Sequence, residues 1–392
     1  MKYNLIQSLA LAGKTIAIRT DVNVPVKNGV VQDDTRIVES FKTIKHCLEN
    51  GAKKIVIIAH FGRPKGKHAE EFSLKQIIPA MEKIYGEKIE LQNLENIVEI
   101  KNSNAKIVLL ENIRFFEGEE QNADELSKAL ASLCDFYCND AFSASHRAHA
   151  SISGIAKYTT VYAGILLQEE IKNIELILNG AKKSEVCAII GGSKVSTKFD
   201  LLNNLIHKVS HIVLGGGMAN TFLYAKGYGV GRSLMEKDYV PQCLEILKKA
   251  ELIGTIIVLP EFVITAKHFK TGQEIEIKTL SKIREDDMIL DVCLEQEIEK
   301  IASEVKFIVW NGPLGAFEME PFKCGTEMVA RVVAKHTGLG GVKSIIGGGD
   351  VVSAISSSGL KNSMTYISTG GGAFLEWLEG KELPGINVCK IS

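Results

Sequence analysis

Short apolar runs alternate with amphipathic stretches from one end of the chain to the other. This pattern predicts parallel sheets covered by helices. In the first half the runs predict strands at 15–20, 53–60, 106–110 and 135–139, with helices between them over 35–49, 73–85 and 122–133. Ser73 with Gln76 and Asn122 with Glu125 have capping-box spacing at the starts of the last two helices. The second half predicts strands at 186–190, 211–214, 255–259, 306–310, 344–346 and 365–368. Between the halves, 166–179 reads as one amphipathic helix that ends at Gly180 and links two domains. Apolar spacing over 194–209 predicts a helix entered directly from the strand at 186–190, so Lys194 and Lys198 would share one face of its first turns.

Ligands of open parallel sheets bind outside the carboxyl ends of the strands. In the first half those ends read Arg19-Thr20-Asp21-Val22-Asn23, His60-Phe61-Gly62-Arg63, Glu111-Asn112-Ile113-Arg114 and His146-Arg147-Ala148-His149. Five of the chain's eight arginines precede residue 150, and four of those five end or follow a predicted strand. Arginine grips carboxylate and phosphate bidentately, so this half suits a small, highly charged acid. In the second half the strand ends are glycines: Gly191-Gly192, Gly215-Gly216-Gly217, Asn311-Gly312-Pro313, Gly347-Gly348-Gly349 and Gly370-Gly371-Gly372. Glycine lets a ligand lie against backbone N–H groups, which suits a larger ligand bearing phosphates. Gly191-Gly192-Ser193-Lys194, with Lys198 beyond, has the parts of a phosphate site without the spacing of a Walker A loop. The bland alternative is a glycine turn with two solvated lysines. Asp350 follows one glycine run and suits either a helix N-cap or a magnesium ion shared with ligand phosphates. Glu318 suits an acceptor for ribose hydroxyls.

Composition narrows the class. With 392 residues the chain suits two domains. Lysine plus arginine (46) nearly balance aspartate plus glutamate (47), which argues against bulk attraction to nucleic acid or an anionic membrane. Eight scattered cysteines form neither a zinc pattern nor a disulfide framework. The first residues are too poor in apolar content for a signal peptide, and no run is long enough to span a membrane, so a cytoplasmic protein is expected.

The motifs RTDVNVP (19–25), DDTRI (33–37), HFGRP (60–64), LLENIRF (109–115), AFSASHRAHAS (141–151), GGSKVSTK (191–198), GGGMANTF (215–222), WNGPLGAFE (310–318), GGGD (347–350) and STGGGAFLE (368–376) follow in order nearly end to end. Together they resemble phosphoglycerate kinase. The resemblance implies an α/β protein of two Rossmann-like domains, each a parallel sheet flanked by helices. It places a 3-phosphoglycerate-binding domain at 1–165, an interdomain helix at 166–180 and a nucleotide-binding domain at 181–370. A terminal segment at 371–392 would pack back on the first domain. The implied reaction is reversible, magnesium-dependent phosphoryl transfer between 1,3-bisphosphoglycerate and ADP, giving 3-phosphoglycerate and ATP. It would run in line on domain closure in a monomer.

By motif, Asp21, Val22, Asn23, Arg36, His60, Phe61, Gly62, Arg63, Arg114 and Arg147 would hold the acid. Gly192, Lys194, Lys198, Gly216, Asn311, Glu318, Gly347, Gly348, Gly349, Asp350 and Thr369 would hold the nucleotide, with Asp350 the metal ligand. Arg36, Lys194 and the N–H groups of Gly371 and Gly372 would grip the transferring phosphoryl group. Arg19 lies inside a strand run and reads as the partner of an internal carboxylate, while His149 reads as packing and His146 as either. Three segments depart from the family pattern. Asp291-Val292-Cys293-Leu294 stands where the family has Asp-Ile-Gly-Pro, in an expected loop near the base. Val351 stands where threonine or serine is common, and 259–263 also differs. A nicotinamide oxidoreductase would need a GxGxxG turn with an acidic residue beyond, which is absent. A silent binding protein would have lost a charged site residue.

Overall fold

The computed structural model describes residues 2–272 and 274–391. The terminal positions Met1 and Ser392 of the expected 1–165 and 371–392 segments lie outside them. The chain divides into two compact units, one of residues 1–172 with 382–392 and one of residues 173–381.

In the first unit six strands form one parallel sheet: β1 (Thr15–Arg19), β2 (Lys54–Ile58), β3 (Ile89–Gln92), β4 (Ile107–Leu110), β5 (Phe136–Asn139) and β6 (Val161–Ala163). Their order across the sheet is β3-β4-β2-β1-β5-β6. The chain therefore runs outward from β1 on one side and later returns to its other side, so the crevice of the strand-order reversal opens at Arg19. The inner strands β2 and β4 are buried at every residue, as strands covered on both faces are; all are apolar but Lys54, whose ammonium donates to the carbonyls of Ile100 and Lys101. The short edge strands β3 and β6 escape the hydrophobic pattern, because Ile89–Gln92 alternates apolar with polar and Val161–Ala163 has only three residues. Helix α1 (Thr35–Glu49) spans its expected range. The expected helix over 73–85 is a 3-10 turn, Leu74–Ile77, that becomes an α-helix only at Ile78–Tyr85, where Pro79 is tolerated in the first turn. Asn122 adopts a φ of 56° and caps nothing; the helix beyond it is Asp124–Ala131.

The return of the chain to this unit begins at Glu382, later than the expected 371. Asn139 Nδ2 donates to the Gly385 carbonyl at 2.9 Å, and Gly385 N–H donates to the Ser145 carbonyl at 2.9 Å. A Cβ on Gly385 would fall 2.6 Å from Ser145 Oγ, which is why a glycine stands there. Helix α2 (Ile165–Glu175) runs through the unit boundary at 172–173 and finishes in a wider turn, Leu176–Gly180.

The second unit has a parallel sheet of β7 (Val186–Ile190), β8 (His211–Leu214), β9 (Ile256–Val258), β13 (Phe307–Asn311), β14 (Lys343–Ile346) and β15 (Tyr366–Ile367). Its order, β9-β8-β7-β13-β14-β15, reverses beside β7, so this crevice opens at Gly191-Gly192. An antiparallel trio that the pattern did not predict stands apart: β10 (Phe262–Ala266), β11 (Glu276–Thr279) and β12 (Met288–Cys293), in the order β11-β10-β12. Glu276 and Lys278 interrupt its apolar content. Lys278 is nonetheless buried, its ammonium 2.7 Å from the Asp287 carboxylate, which no apolar count registers. The segment from Asp291 is therefore strand β12 and not a loop, and the deviating 259–263 is the entry to this sheet. Fully buried Trp310 donates from Nε1 to the Gly312 carbonyl at 2.9 Å, fixing the Asn311-Gly312-Pro313 turn.

Candidate active site

At the end of β1 the apolar core residues Ile16 to Ile18 give way to a buried polar cluster. Asp21 Oδ1 accepts from Asn23 N–H at 2.9 Å, an Asx turn that bends the chain back over the strand end. Asp21 Oδ2 stands 3.0 Å from Arg36 Nη1 and accepts from Ser143 Oγ. Burial opposes ionisation of Asp21, but Arg36, His60 and the bonds from Ser143 and Asn23 outweigh it and hold its carboxyl below the ordinary value. Arg36 Nη1 also donates to the Asn23 carbonyl at 3.0 Å, so Asp21 and Asn23 orient the guanidinium at the start of α1. Asn23 Oδ1 accepts from Gly62 N–H at 3.0 Å. Val22 and Phe61 are buried.

Buried Asn112 ties the neighbouring strand ends together. It accepts from Phe61 N–H at 3.2 Å and Arg114 N–H at 3.1 Å, and donates to the carbonyls of Phe61 and Phe72. Arg114 Nη1 donates to the Gly62 carbonyl at 2.8 Å, while its Nε is buried without a hydrogen-bond partner. Burial, then the fields of Arg19 and Arg147, push the Arg114 guanidinium down to about 10, so like charges converge here. Arg147 Nε stands 3.2 Å from His146 Nε2, and Arg63 is exposed. Burial also pushes His60 well below its ordinary value, against Asp21 and with Arg19, Arg114 and Arg36. At neutral pH the imidazole is therefore uncharged. Arg19 is the residue that strand-run reasoning set aside. It is fully buried at the strand end, with Nη2 3.2 Å from His60 Nδ1. Ser143, Glu119 and Ser151 also bond into this cluster, though serines and a glutamate in polar segments carry no sequence pattern of their own.

In the second unit three of the five glycine turns, those at 191–192, 215–217 and 311–313, border a cavity of 470 Å³, large enough for a cofactor-sized ligand. Gly192, Gly216, Glu318 and Asp350 line it together with Leu234, Leu314, Asp291 and Val292. A Cβ on Gly216, whose φ is 68°, would fall 2.5 Å from the Gly192 carbonyl oxygen, so glycine here permits both the turn and the close approach. The helix after the first turn, α3 (Phe199–Leu205), begins only at Phe199. Lys194 and Lys198 therefore do not share a helical face, contrary to the expectation. Glu236 prevents it by accepting from Ser196 N–H at 2.9 Å and Ser196 Oγ at 2.6 Å, which holds 194–198 as a turn. Lys194 is exposed in that turn. Lys198 donates to Asn311 Oδ1, and Asn311 Nδ2 donates to the Gly347 carbonyl, which links three of the turns. Burial pushes the Lys198 ammonium down to about 8, against the fields of Asp350 and Glu379.

Helix α4 (Gly349–Ser357) has Gly348 as its cap, so Asp350 is a first-turn residue and not the N-cap. Its exposed carboxylate is a hard oxygen ligand beside the cavity. Among the described residues no group of three or more His, Cys, Asp or Glu could hold a metal. A cation here would need ligand oxygens as well, which fits magnesium shared with phosphates. Val351 is fully buried. Helix α5 (Gly372–Leu378) is capped by Gly371, whose φ is 47° and beside which a Cβ would meet nothing within 4 Å; Thr369 is half-buried before it. Asp291 and Val292 line the cavity, while Cys293 pairs with Phe262 in the sheet. Burial pushes the Asp291 carboxyl up to about 7, against N–H bonds from Gly325 and Val292. Asn220 also lines the cavity, and its Oδ1 is buried without a hydrogen-bond partner.

The family model for phosphoglycerate kinase matches residues 6–381. The chain is 45% identical over 399 residues to the phosphoglycerate kinase of Cereibacter sphaeroides, covering 98% of this chain and 99% of that one. It is 46% identical over 389 residues to the phosphoglycerate kinase of Rhizobium meliloti, covering 97% and 96%. Among solved structures, phosphoglycerate kinase from Coxiella burnetii superposes with a TM-score of 0.90 at 39% identity, covering 99% of each chain.

Proposed function

We infer the function from one premise: the chain belongs to the phosphoglycerate kinase family. It is a kinase of glycolysis that acts on phosphoglycerate and ADP or ATP. We propose that the first unit binds 3-phosphoglycerate or 1,3-bisphosphoglycerate and the second binds the nucleotide. The observation that carries the assignment is the division of chemistry. Buried guanidiniums converge in one unit, and a cavity bordered by glycine turns and Asp350 lies in the other, with Lys198 bonded to Asn311 in one of those turns. Arg114 holds its charge beside Arg19 and Arg147, and an anion would relieve that repulsion. A cavity with an apolar wall and backbone donors suits a base with its phosphates.

In the ATP-forming direction a β-phosphate oxygen of ADP attacks the acyl phosphate phosphorus, and the bond to the carboxyl oxygen breaks. Both nucleophiles are already ionised, ADP phosphate in one direction and carboxylate in the other, so no general base is required. The carboxyl group is the acceptor in the reverse direction. Catalysis then rests on positioning and on charge stabilisation of the phosphoryl oxygens. Arg36, oriented by Asp21 and Asn23, and exposed Lys194 are the side chains assigned to those oxygens, with the N–H groups of Gly371 and Gly372. Direct transfer requires the ligands of the two units to meet, so closure with exclusion of water is part of the proposal. Asp350 would hold a magnesium ion, whose contribution when bound is to offset phosphate charge. A monomeric, cytoplasmic enzyme accords with this reading; no described helix is long and apolar enough to cross a membrane.

A coupled assay with 3-phosphoglycerate, ATP and magnesium tests the function. Turnover that requires all three supports it. A folded protein that binds nucleotide but does not turn over would point to a binding role.

A further inference from the structure

Beneath the acid site a chain of hydrogen bonds runs from a fully buried carboxylate to the His60 ring. Glu119 Oε1 accepts from Ser151 Oγ at 2.6 Å, and Oε2 accepts from Ser151 N–H at 2.9 Å. Burial opposes ionisation of Glu119, but His149, Arg19 and Ser151 outweigh it, and the carboxyl lies below its ordinary value. His149 Nδ1 stands 3.6 Å from Glu119 Oε1, so the close partner of this carboxylate is Ser151. The Ser151 hydroxyl has spent its one proton on Glu119, so toward Arg19 it can only accept, and Arg19 Nε donates to it at 2.9 Å. Arg19 Nη1 donates to the Thr20 carbonyl at 2.6 Å. Two points thus fix the planar guanidinium, and the third nitrogen, Nη2, faces His60 Nδ1 at 3.2 Å.

A guanidinium has donors only. His60 Nδ1 must therefore accept, because a proton on it would set N–H against N–H. The ring is left with its single proton on Nε2. The charges facing His60 agree with this. Arg19, Arg36 and Arg114 disfavour an imidazolium, and Asp21 opposes them. Without Glu119, a buried guanidinium would stand uncompensated behind the ring.

We propose that Glu119, acting through Ser151 and Arg19, is a positioning residue that holds His60 as the neutral Nε2–H tautomer, so that the imidazole meets the acid substrate as a hydrogen-bond donor and not as a cation. The inference rests on the assignment of the first unit to 3-phosphoglycerate. It divides the labour at the site: arginines supply charge, while His60 supplies direction. A donor of fixed tautomer costs nothing to reorient when the ligand arrives. It also adds no further positive charge to a cluster already crowded with guanidiniums.

The test reads the ring nitrogens directly. In nitrogen-15 NMR of the ligand-free protein near neutral pH, His60 should show an unprotonated Nδ1 and a protonated Nε2. Ser151→Ala should draw the two resonances toward a tautomer mixture. It should also raise KM for 3-phosphoglycerate about tenfold, with kcat and the KM for ATP changed less than about twofold. In a His60→Gln background, whose amide always presents a donor, Ser151→Ala should change KM less than about twofold. A merely structural serine would cost the same in both backgrounds, and that result overturns the proposal. So does a wild-type His60 that is doubly protonated or protonated on Nδ1. If Ser151→Ala does not fold, the wild-type spectrum and an Arg19→Lys variant, which should also mix the tautomers, decide instead. A wrong tautomer with 3-phosphoglycerate still binding overturns this inference alone. The predicted tautomer with resonances that 3-phosphoglycerate leaves unmoved overturns the acid-site assignment, and this inference with it.

Discussion

Lys198 is held in a state that a bound phosphate should change, and the change can be read through pH. Burial has brought its ammonium from 10.5 down to about 8, with Asp350 and Glu379 opposing. A phosphate oxygen at that ammonium would restore the ordinary value. The difference, 10.5 − 8 = 2.5, corresponds to about 3 kcal/mol as an upper bound, since each factor of ten in proton affinity is about 1.4 kcal/mol. Solvent reaches part of the site, so roughly half of that is expected in practice, near tenfold in affinity. The sign follows from linkage. The bound form holds its proton to higher pH than the free form, so the contribution is fully present below about 8 and is lost as pH rises toward 10.5. Calorimetric titration with magnesium ADP should show affinity falling about tenfold from about pH 7.5 to about pH 9.5, a range in which the nucleotide phosphates no longer titrate appreciably. Lys198→Ala should bind about tenfold more weakly at the lower pH and show no such slope. A wild-type profile that stays flat, or a variant that keeps the slope, would refute the assignment of Lys198 to phosphate.

Other residues give independent checks. Arg36→Ala leaves the buried Asp21 carboxylate without its ion pair, so 3-phosphoglycerate affinity should fall about a hundredfold, with about 2 kcal/mol lost in denaturant titration. Asp350→Asn should weaken magnesium ADP binding about tenfold at an unchanged melting temperature, because the side chain is exposed. Asp291 keeps its proton in the folded state up to about 7, whereas the unfolded chain loses it near 3.8. Stability should therefore fall as pH rises through that window, by a few kcal/mol at most, and Asp291→Asn should flatten the dependence in denaturant melts. A chain ending at Lys381 loses the bonds of Gly385 to Asn139 and Ser145, so the first unit should melt several degrees earlier by calorimetry.

The strands that position both sites were legible in the sequence because they are buried on both faces, and unbroken apolar runs such as 55–58 and Val186–Ile190 have no other economical reading. The antiparallel trio was not, since Lys278 and Asp287 pair where a hydrophobic scan sees only charge. The late start of α3 was equally hidden. Its cause is Glu236, forty residues from Ser196, and spacing within a segment cannot report a distant carboxylate. The arginines were visible as residue types at strand ends. What sequence could not reveal is which are partnered beneath the surface: the ties of Asp21 to Arg36, of Asn112 to the 60–64 segment, and of Glu119 to Arg19 through Ser151.

The most direct test of the division between an acid-binding and a nucleotide-binding unit is a calorimetric titration of wild type, Arg36→Ala and Lys198→Ala, each with 3-phosphoglycerate and with magnesium ADP. Arg36→Ala should lose the acid and keep the nucleotide, Lys198→Ala should do the reverse, and wild type should bind both. If either substitution weakened both ligands equally in a folded protein, the two sites would not be separate as described, and the account would be wrong.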